Sequence, residues 1–368
     1  MRGLYASGAV EIMRMVARSR EFDGIAATKP RLKRRNVPRF AVLCYHRVGT
    51  DGVPLYSQLP AEIFEAQMQY LRKNYRIVSL DQMIDEMDEP RSLDPAVALT
   101  FDDGYRGLYT EAFPILKAYG VPASIFLTIG CIESGQVAWY DRIFLSLNVA
   151  PSDAFEINLD RPRRFLLASP ASRLWAAAEI ISFLRACTPS RRKECCADLE
   201  NKIQLPEGQL RDRMLTWEQI HIMHRAGINF GTHTMSHPVV SRLSIPELEW
   251  ELRESKRILE QRLEAPVRHF AFPFGKSEEC SDAAVSLLAQ DGYRSAATTE
   301  WGLNSPGDDA FRLRRIQIGE AGSLGRFAFE INRLFLFADS RPATGREVNS
   351  SASPSSIPKQ DMTGSFHA

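Results

Sequence analysis

From residue 40 to residue 318 the chain repeats one pattern, a short apolar run followed in most cases by a stretch with helical spacing. The runs are FAVLCYH (40–46), RIVSL (76–80), AVALTF (96–101), ASIFLT (123–128), INFGTH (228–233), FAFPFG (270–275), RSAATT (294–299) and LRRIQI (313–318). Amphipathic stretches lie between several of them, at 61–74, 109–119, 245–264 and 281–291. Apolar runs this short, alternating with helices, read as βα units around a buried parallel sheet. With this many units a closed or nearly closed α/β barrel is the economical architecture, and an open doubly wound sheet is the runner-up.

The rhythm breaks between about 140 and 213. Helical periodicity is evident there, at 173–185 above all, and no strand is convincing. The stretch reads as a helical insertion covering one rim of the barrel. The expected organisation is an N-terminal helix and basic linker (1–38), a barrel domain (39–336) and a Ser/Pro-rich disordered tail (337–368).

Composition excludes several classes. Forty-six Lys and Arg against 45 Asp and Glu leave a formal charge of +1, so no global field draws nucleic acid. No apolar run approaches the roughly 18 residues that span a bilayer. Six cysteines in 368 residues, with no CxxC pair, suit reduced and mostly buried thiols. Glu11 and Arg14 interrupt any apolar core of a secretory signal, so the expected address is cytoplasmic. The cluster Lys29, Arg31, Lys33, Arg34 and Arg35 is foremost a solvated linker. Its alternative is a weak peripheral contact with an anionic inner membrane face.

Polar residues gather where the runs end, which is where parallel α/β folds build their sites. Asp102 and Asp103 stand side by side at the end of one strand, before Gly104 and Tyr105. Two adjacent carboxylates repel unless a cation sits between them, so one suits a metal ligand and the other a base. An Asx turn capping a helix explains DDG equally well. His233 and His237 in HTMSH have the four-residue spacing that lets two imidazoles meet one ion, although HxxxH alone is more often a pair of surface or capping histidines. Jointly, one Asp and two His leave open positions for water and substrate. Such a set can hold Fe(II), but an oxygenase has no need of the second carboxylate, which points to metal-assisted hydrolysis.

In TFDDGY, HTMSH and FAFPFG, taken in this order, the sequence resembles the polysaccharide deacetylase family, the NodB-homology carbohydrate esterases, in the branch with an FAFPFG-type third motif. The resemblance runs from about residue 39 to residue 318, outside the insertion. It implies a deformed (β/α) barrel binding Zn²⁺, or Co²⁺, Ni²⁺ or Mn²⁺, through Asp103, His233 and His237, with Asp102 as base. It further implies an N-acetylated glycan, from a polysaccharide or a lipid-linked precursor, as substrate, with a backbone N–H near Tyr105 at the oxyanion.

Two departures from the family pattern stand out. Where many members carry an Arg that orients the base, this chain has Ala271, and Arg294 is one candidate replacement. The late Leu-x-His motif is missing, and His46 in CYHRVG resembles the early histidine that supplies the acid in the circularly shifted branch. Pro273 and Phe274 form turn and aromatic wall, and Trp139 and Trp217 are candidates for sugar stacking. Asn304 and Asp309 are further candidates for the rim. The competing readings are an O-deacetylase or non-sugar amidase on the same site, and a catalytically dead carbohydrate-binding protein.

Overall fold

The computed structural model describes residues 37–49, 58–151, 153–203, 205, 213–319 and 323–337. The expected N-terminal helix and basic linker lie almost wholly outside this set, as does the expected tail. The strands are β1 (Phe40–Tyr45), β2 (Arg76–Ile77), β3 (Ala96–Phe101), β4 (Ala123–Leu127), β5 (Ala154–Asn158), β6 (Pro162–Leu166), β7 (Asn229–Thr232), β8 (His269–Ala271), β9 (Ser295–Ala297) and β10 (Ile316–Gln317). Eight form one parallel sheet in the order β10-β1-β3-β4-β7-β8-β9, with β2 paired to the start of β3. A bridge from Ala297 to Leu313, three residues before β10, joins the two edges of the curled sheet. The result is a deformed (β/α) barrel, as the alternation of runs implied.

Strand side chains alternate between two faces, and this sorts the core. On β1 and β3 the odd positions Ala41, Leu43, Tyr45, Val97, Leu99 and Phe101 belong to the main core, together with Phe64, Met68 and Leu71 of the helix Ala61–Asn74. The even positions Phe40, Val42, Ala96 and Ala98 form a separate cluster with Phe126, Ala271, Ala297 and Leu313. Leu80, Met83, Ile84 and Met87 of the helix Leu80–Asp88 complete that cluster and floor the barrel at the amino ends of the strands. Asp81 on this helix ties the floor to three strands, through Asn229 (3.1 Å), His269 (3.1 Å) and Arg294 (3.2 Å). Small side chains admit the plug. At Gly231 a Cβ would stand 2.7 Å from the Phe126 ring and 2.4 Å from the His269 carbonyl oxygen.

The region 140–213 differs from the expectation of helices alone. It holds the helices Trp139–Val149, Pro170–Arg185 and Pro189–Lys202 and also an antiparallel hairpin, β5 with β6. Phe155, Ile157 and Phe165 point into a core shared with those helices, while Glu156, Asn158 and Arg164 face out. The strands are five residues each and bury only one face, so polar residues such as Glu156, Asn158 and Arg164 break up most of their apolar content. No helix among the described residues is long and apolar enough to cross a membrane. All six cysteines are free thiols.

Candidate active site

Continuing the even-numbered phase of β1 and β3 past the apolar floor gives Cys44 and His46 on one strand, and Thr100 and Asp102 on the other. Period-two alternation therefore delivers the polar residues to the carboxyl end of the barrel, opposite the plug.

Asp103 follows Asp102 in left-handed backbone (φ 73°), which turns its carboxylate toward the histidine loop. Its Oδ1 is buried and accepts no hydrogen bond, yet it stands 3.4 Å from His237 Nε2 and 3.7 Å from His233 Nε2. Ligand atoms about 2.0–2.1 Å from a tetrahedral ion stand roughly 3.3–3.4 Å apart. The three side chains therefore fit a divalent metal. His233 Nδ1 lies 2.7 Å from the Ala271 carbonyl oxygen, which assigns the proton to Nδ1 and leaves the Nε2 lone pair aimed at Asp103. Burial holds the pKa values of both histidines below the ordinary imidazole range, so both stay neutral, as metal ligands must be.

The loop carrying the histidines is fixed from three sides. The Thr234 hydroxyl accepts from the His237 amide at 3.0 Å, which gives the threonine of HTMSH a local role. The amides of Ile129 and Gly130 donate to the carbonyls of Thr234 and Met235 (3.0 and 2.8 Å). Glu251, on the helix Ile245–Leu263, accepts from the amides of Met235 (2.8 Å) and Ser236 (3.0 Å) and from the Ser236 hydroxyl. Burial raises the Glu251 pKa, a cost these donors offset. The sequence motif gives no hint of Glu251, which lies 14 residues beyond His237.

Thr234 and His237 are also left-handed (φ 66° and 55°), as is Phe274 (φ 60°). Four of the five non-glycine residues in this region of backbone among those described thus belong to the motif loops. Strain of this kind clusters at sites that need a particular side-chain direction.

Asp102 is held from β10. Arg315 is fully buried and pairs with it in bidentate fashion, Nη1 to Oδ1 and Nη2 to Oδ2 at 2.7 Å each, while its Nε donates to the Thr298 carbonyl at 2.7 Å. Burial alone would raise the Asp102 pKa. The guanidinium outweighs it and keeps the carboxyl ionised far below the usual range. Arg315 thus occupies the position that the sequence left vacant at Ala271. Arg294 does not: it pairs with Asp81 and Asp85 (3.2 and 2.6 Å) at the floor of the barrel. A ring nitrogen of His46, Cys44 Sγ and an Asp102 oxygen all lie within 4.8 Å of one another, so the half-buried His46 stands beside the carboxylate.

The remaining expected residues divide. Trp139 donates through Nε1 to the His237 carbonyl (3.0 Å), and Phe274 packs edge-on against His237 with ring centres 4.8 Å apart. Tyr140, next to Trp139, packs against His237 with its ring tilted by 58° and ring centres 4.7 Å apart. The Tyr105 hydroxyl donates to Asp141 (2.8 Å), which also accepts from Arg47 (2.6 Å). The neighbouring amides pair across to 213–215, Arg106 N to the Arg213 carbonyl and Leu215 N to the Gly104 carbonyl, so the N–H of Tyr105 points away from that segment. Pro273 is buried in the turn after β8, where its carbonyl accepts from the Gly275 amide at 2.7 Å. Trp217 is held away from the histidines by Glu133 and Arg262. Asn304 exchanges backbone hydrogen bonds with Phe40 at the opposite end of the barrel, and Asp309 caps a short turn at Phe311.

Known proteins share this fold. The family model described as polysaccharide deacetylase matches residues 90–296, more than half of the chain. YxkH of Bacillus subtilis, a polysaccharide deacetylase by name, is 22% identical over 298 residues, covering 79% of this chain and 76% of that protein. Among solved structures, the Streptococcus pyogenes deacetylase PplD, in complex with acetate, superposes with a TM-score of 0.54 at 19% identity, covering 81% of this chain and 99% of that one. IcaB from Ammonifex degensii gives 0.53 at 20% identity, covering 81% and 97%. Likeness at such identity speaks for the fold, and the matched family model carries the assignment. On that match, with DDG, HTMSH and FAFPFG all converging on one end of the barrel, this chain belongs to the polysaccharide deacetylase family.

Proposed function

We propose that this protein is a metal-dependent N-deacetylase acting on amino sugars of a polysaccharide or a lipid-linked glycan precursor. The observation that carries the reading is the buried Asp103 Oδ1, unbonded and facing two neutral imidazoles, next to a second carboxylate locked by Arg315. A relative named for the same reaction supports the substrate class. The poly-beta-1,6-N-acetyl-D-glucosamine N-deacetylase of Escherichia coli K12 is 34% identical over 87 residues, covering 23% of this chain and 13% of that protein.

Asp103, His233 and His237 would hold the ion, zinc by donor type, which when bound supplies Lewis-acid polarisation of a carbonyl and a more acidic water. The other roles belong to side chains of this chain. Asp102, kept ionised by Arg315, takes the proton of the water that attacks the acetyl carbon. The N–H of Tyr105 is the donor toward the developing oxyanion. His46 gives a proton to the departing sugar nitrogen, without which an amine anion would have to leave. Trp139, Tyr140 and Phe274 wall the site and keep bulk water from the reacting carbon.

O-deacetylation on the same site is the second reading, since an ester uses the same base and donor. The test is acetate release from N-acetylglucosamine oligomers by metal-stripped protein reloaded with Zn²⁺ or Co²⁺, beside Asp102→Asn and His233→Ala. Metal-dependent release lost in both variants supports the reading. Metal bound without release from any N-acetyl sugar overturns it.

A further inference from the structure

Three of the arginines around the rim have carboxylate partners. Arg315 has Asp102, Arg47 has Asp141, and Arg185 has Glu279. Arg192 has none. It is only 7% exposed, yet among the described residues its guanidinium has no ion-pair or hydrogen-bond partner. Burial lowers its pKa, as expected of a cation without a counterion. Arginine is almost never this buried unless paired, because its five N–H donors lose water and gain nothing. None of its nitrogens is sealed from solvent, so the group still has an open side.

Its position matters. Arg192 comes from the insertion, on the helix Pro189–Lys202, and its guanidinium carbon lies 5.2 Å from the centre of the Trp139 ring. That same ring donates through Nε1 to the His237 carbonyl. The carboxylate that acts on its charge is Glu251, and both oxygens of Glu251 already accept from Met235 and Ser236. Arg192 is thus a planar, partly dehydrated cation, one aromatic ring away from a metal ligand.

We propose that Arg192, held against the Trp139 ring, reads a negatively charged group on the substrate, a phosphate or a carboxylate carried by the sugar or its neighbour. A guanidinium binds both oxyanions in the same bidentate manner. This rests on the deacetylase reading and narrows it from glycans in general to anionic ones.

The test is equilibrium binding to the full chain, followed by tryptophan fluorescence, with three probes: N-acetylglucosamine, its 6-phosphate, and N-acetylmuramic acid. The expected result is that at least one anionic probe binds about ten-fold tighter than the neutral sugar, a margin typical of hydrogen bonds to a charged group. The preference should fade at high salt, vanish in Arg192→Gln and survive in part in Arg192→Lys. Which anionic probe gains separates phosphate from carboxylate. Equal affinities for all three in the wild-type protein overturn the proposal, as does a preference that persists in Arg192→Gln. Acetate release from neutral oligomers reads the deacetylase assignment separately. Its failure alongside an Arg192-dependent preference would sink the reaction and keep the anion site.

Discussion

Arg315 and Asp102 meet in a two-pronged pair at 2.7 Å per prong, although 213 residues separate them along the chain. Neither is exposed, so the pair governs the charge of Asp102 and ties the residue before β10 to the residue after β3, across the intervening β1. Replacing Arg315 with Met is expected to cost about 3–5 kcal/mol of stability, because a buried carboxylate loses its counterion. The sign of the pH effect follows. With the guanidinium gone, the largest pull against burial is lost and the Asp102 pKa rises, so the acid limb of kcat/KM moves to higher pH. A pH–rate profile of Arg315→Met against wild type checks this, and an unmoved acid limb would contradict it.

Metal binding and catalysis are expected to separate. Asp102→Asn should keep close to one equivalent of metal by elemental analysis while activity falls about 10²–10⁴-fold. His237→Ala should lose both. Chelation of the wild-type protein should abolish activity, and Zn²⁺ or Co²⁺ should restore it.

His46 is expected to matter in proportion to how poor the leaving group is. Amide hydrolysis by His46→Ala should drop about 10²–10⁴-fold, whereas an activated aryl acetate, whose leaving group needs no proton, should be cleaved nearly as well as by wild type. Equal losses on both substrates would assign His46 to orientation of Asp102 instead.

Glu251 clamps two amides of the histidine loop without touching the ion-binding atoms. Glu251→Ala is expected to weaken metal affinity about 10–100-fold, the usual effect of removing a partner that orients ligands. A competition titration with a chelator measures it.

At the floor of the barrel, Gly231→Ala places a methyl group against the Phe126 ring and the His269 carbonyl oxygen. The expected cost is about 1–3 kcal/mol by overpacking, read from chemical denaturation.

How much of this was legible in the sequence depended on the periodicity of each element. β1 and β3 announce themselves as six-residue apolar runs with polar residues just beyond, so the barrel and the place of its candidate site could be read together. The hairpin of β5 and β6 could not, because AFEIN and PRRFL each bury only one face and the exposed one carries Glu156, Asn158 and Arg164. Arg315 was hidden among Arg312, Arg314 and Arg315, and only the strand phase separates them: Leu313 and Arg315 share the inward phase, whereas Arg314 bonds outward to Asp308. Arg294 had the right chemistry at the wrong end of the barrel. Nothing local marked Glu251, whose acceptors are used by backbone amides that any sequence possesses.

The left-handed backbone at Asp103, Thr234, His237 and Phe274 has a consequence for anyone trying to harden this protein. Glycine would accept those four conformations without the steric penalty that a Cβ incurs, about 1 kcal/mol or more at each. At His237 that saving is opposed by the ring contacts with Tyr140 and Phe274 that glycine would forfeit, so the strained backbone is kept where the side chain is needed. A thermostability screen that reached any of these four positions would need an activity gate from the first round.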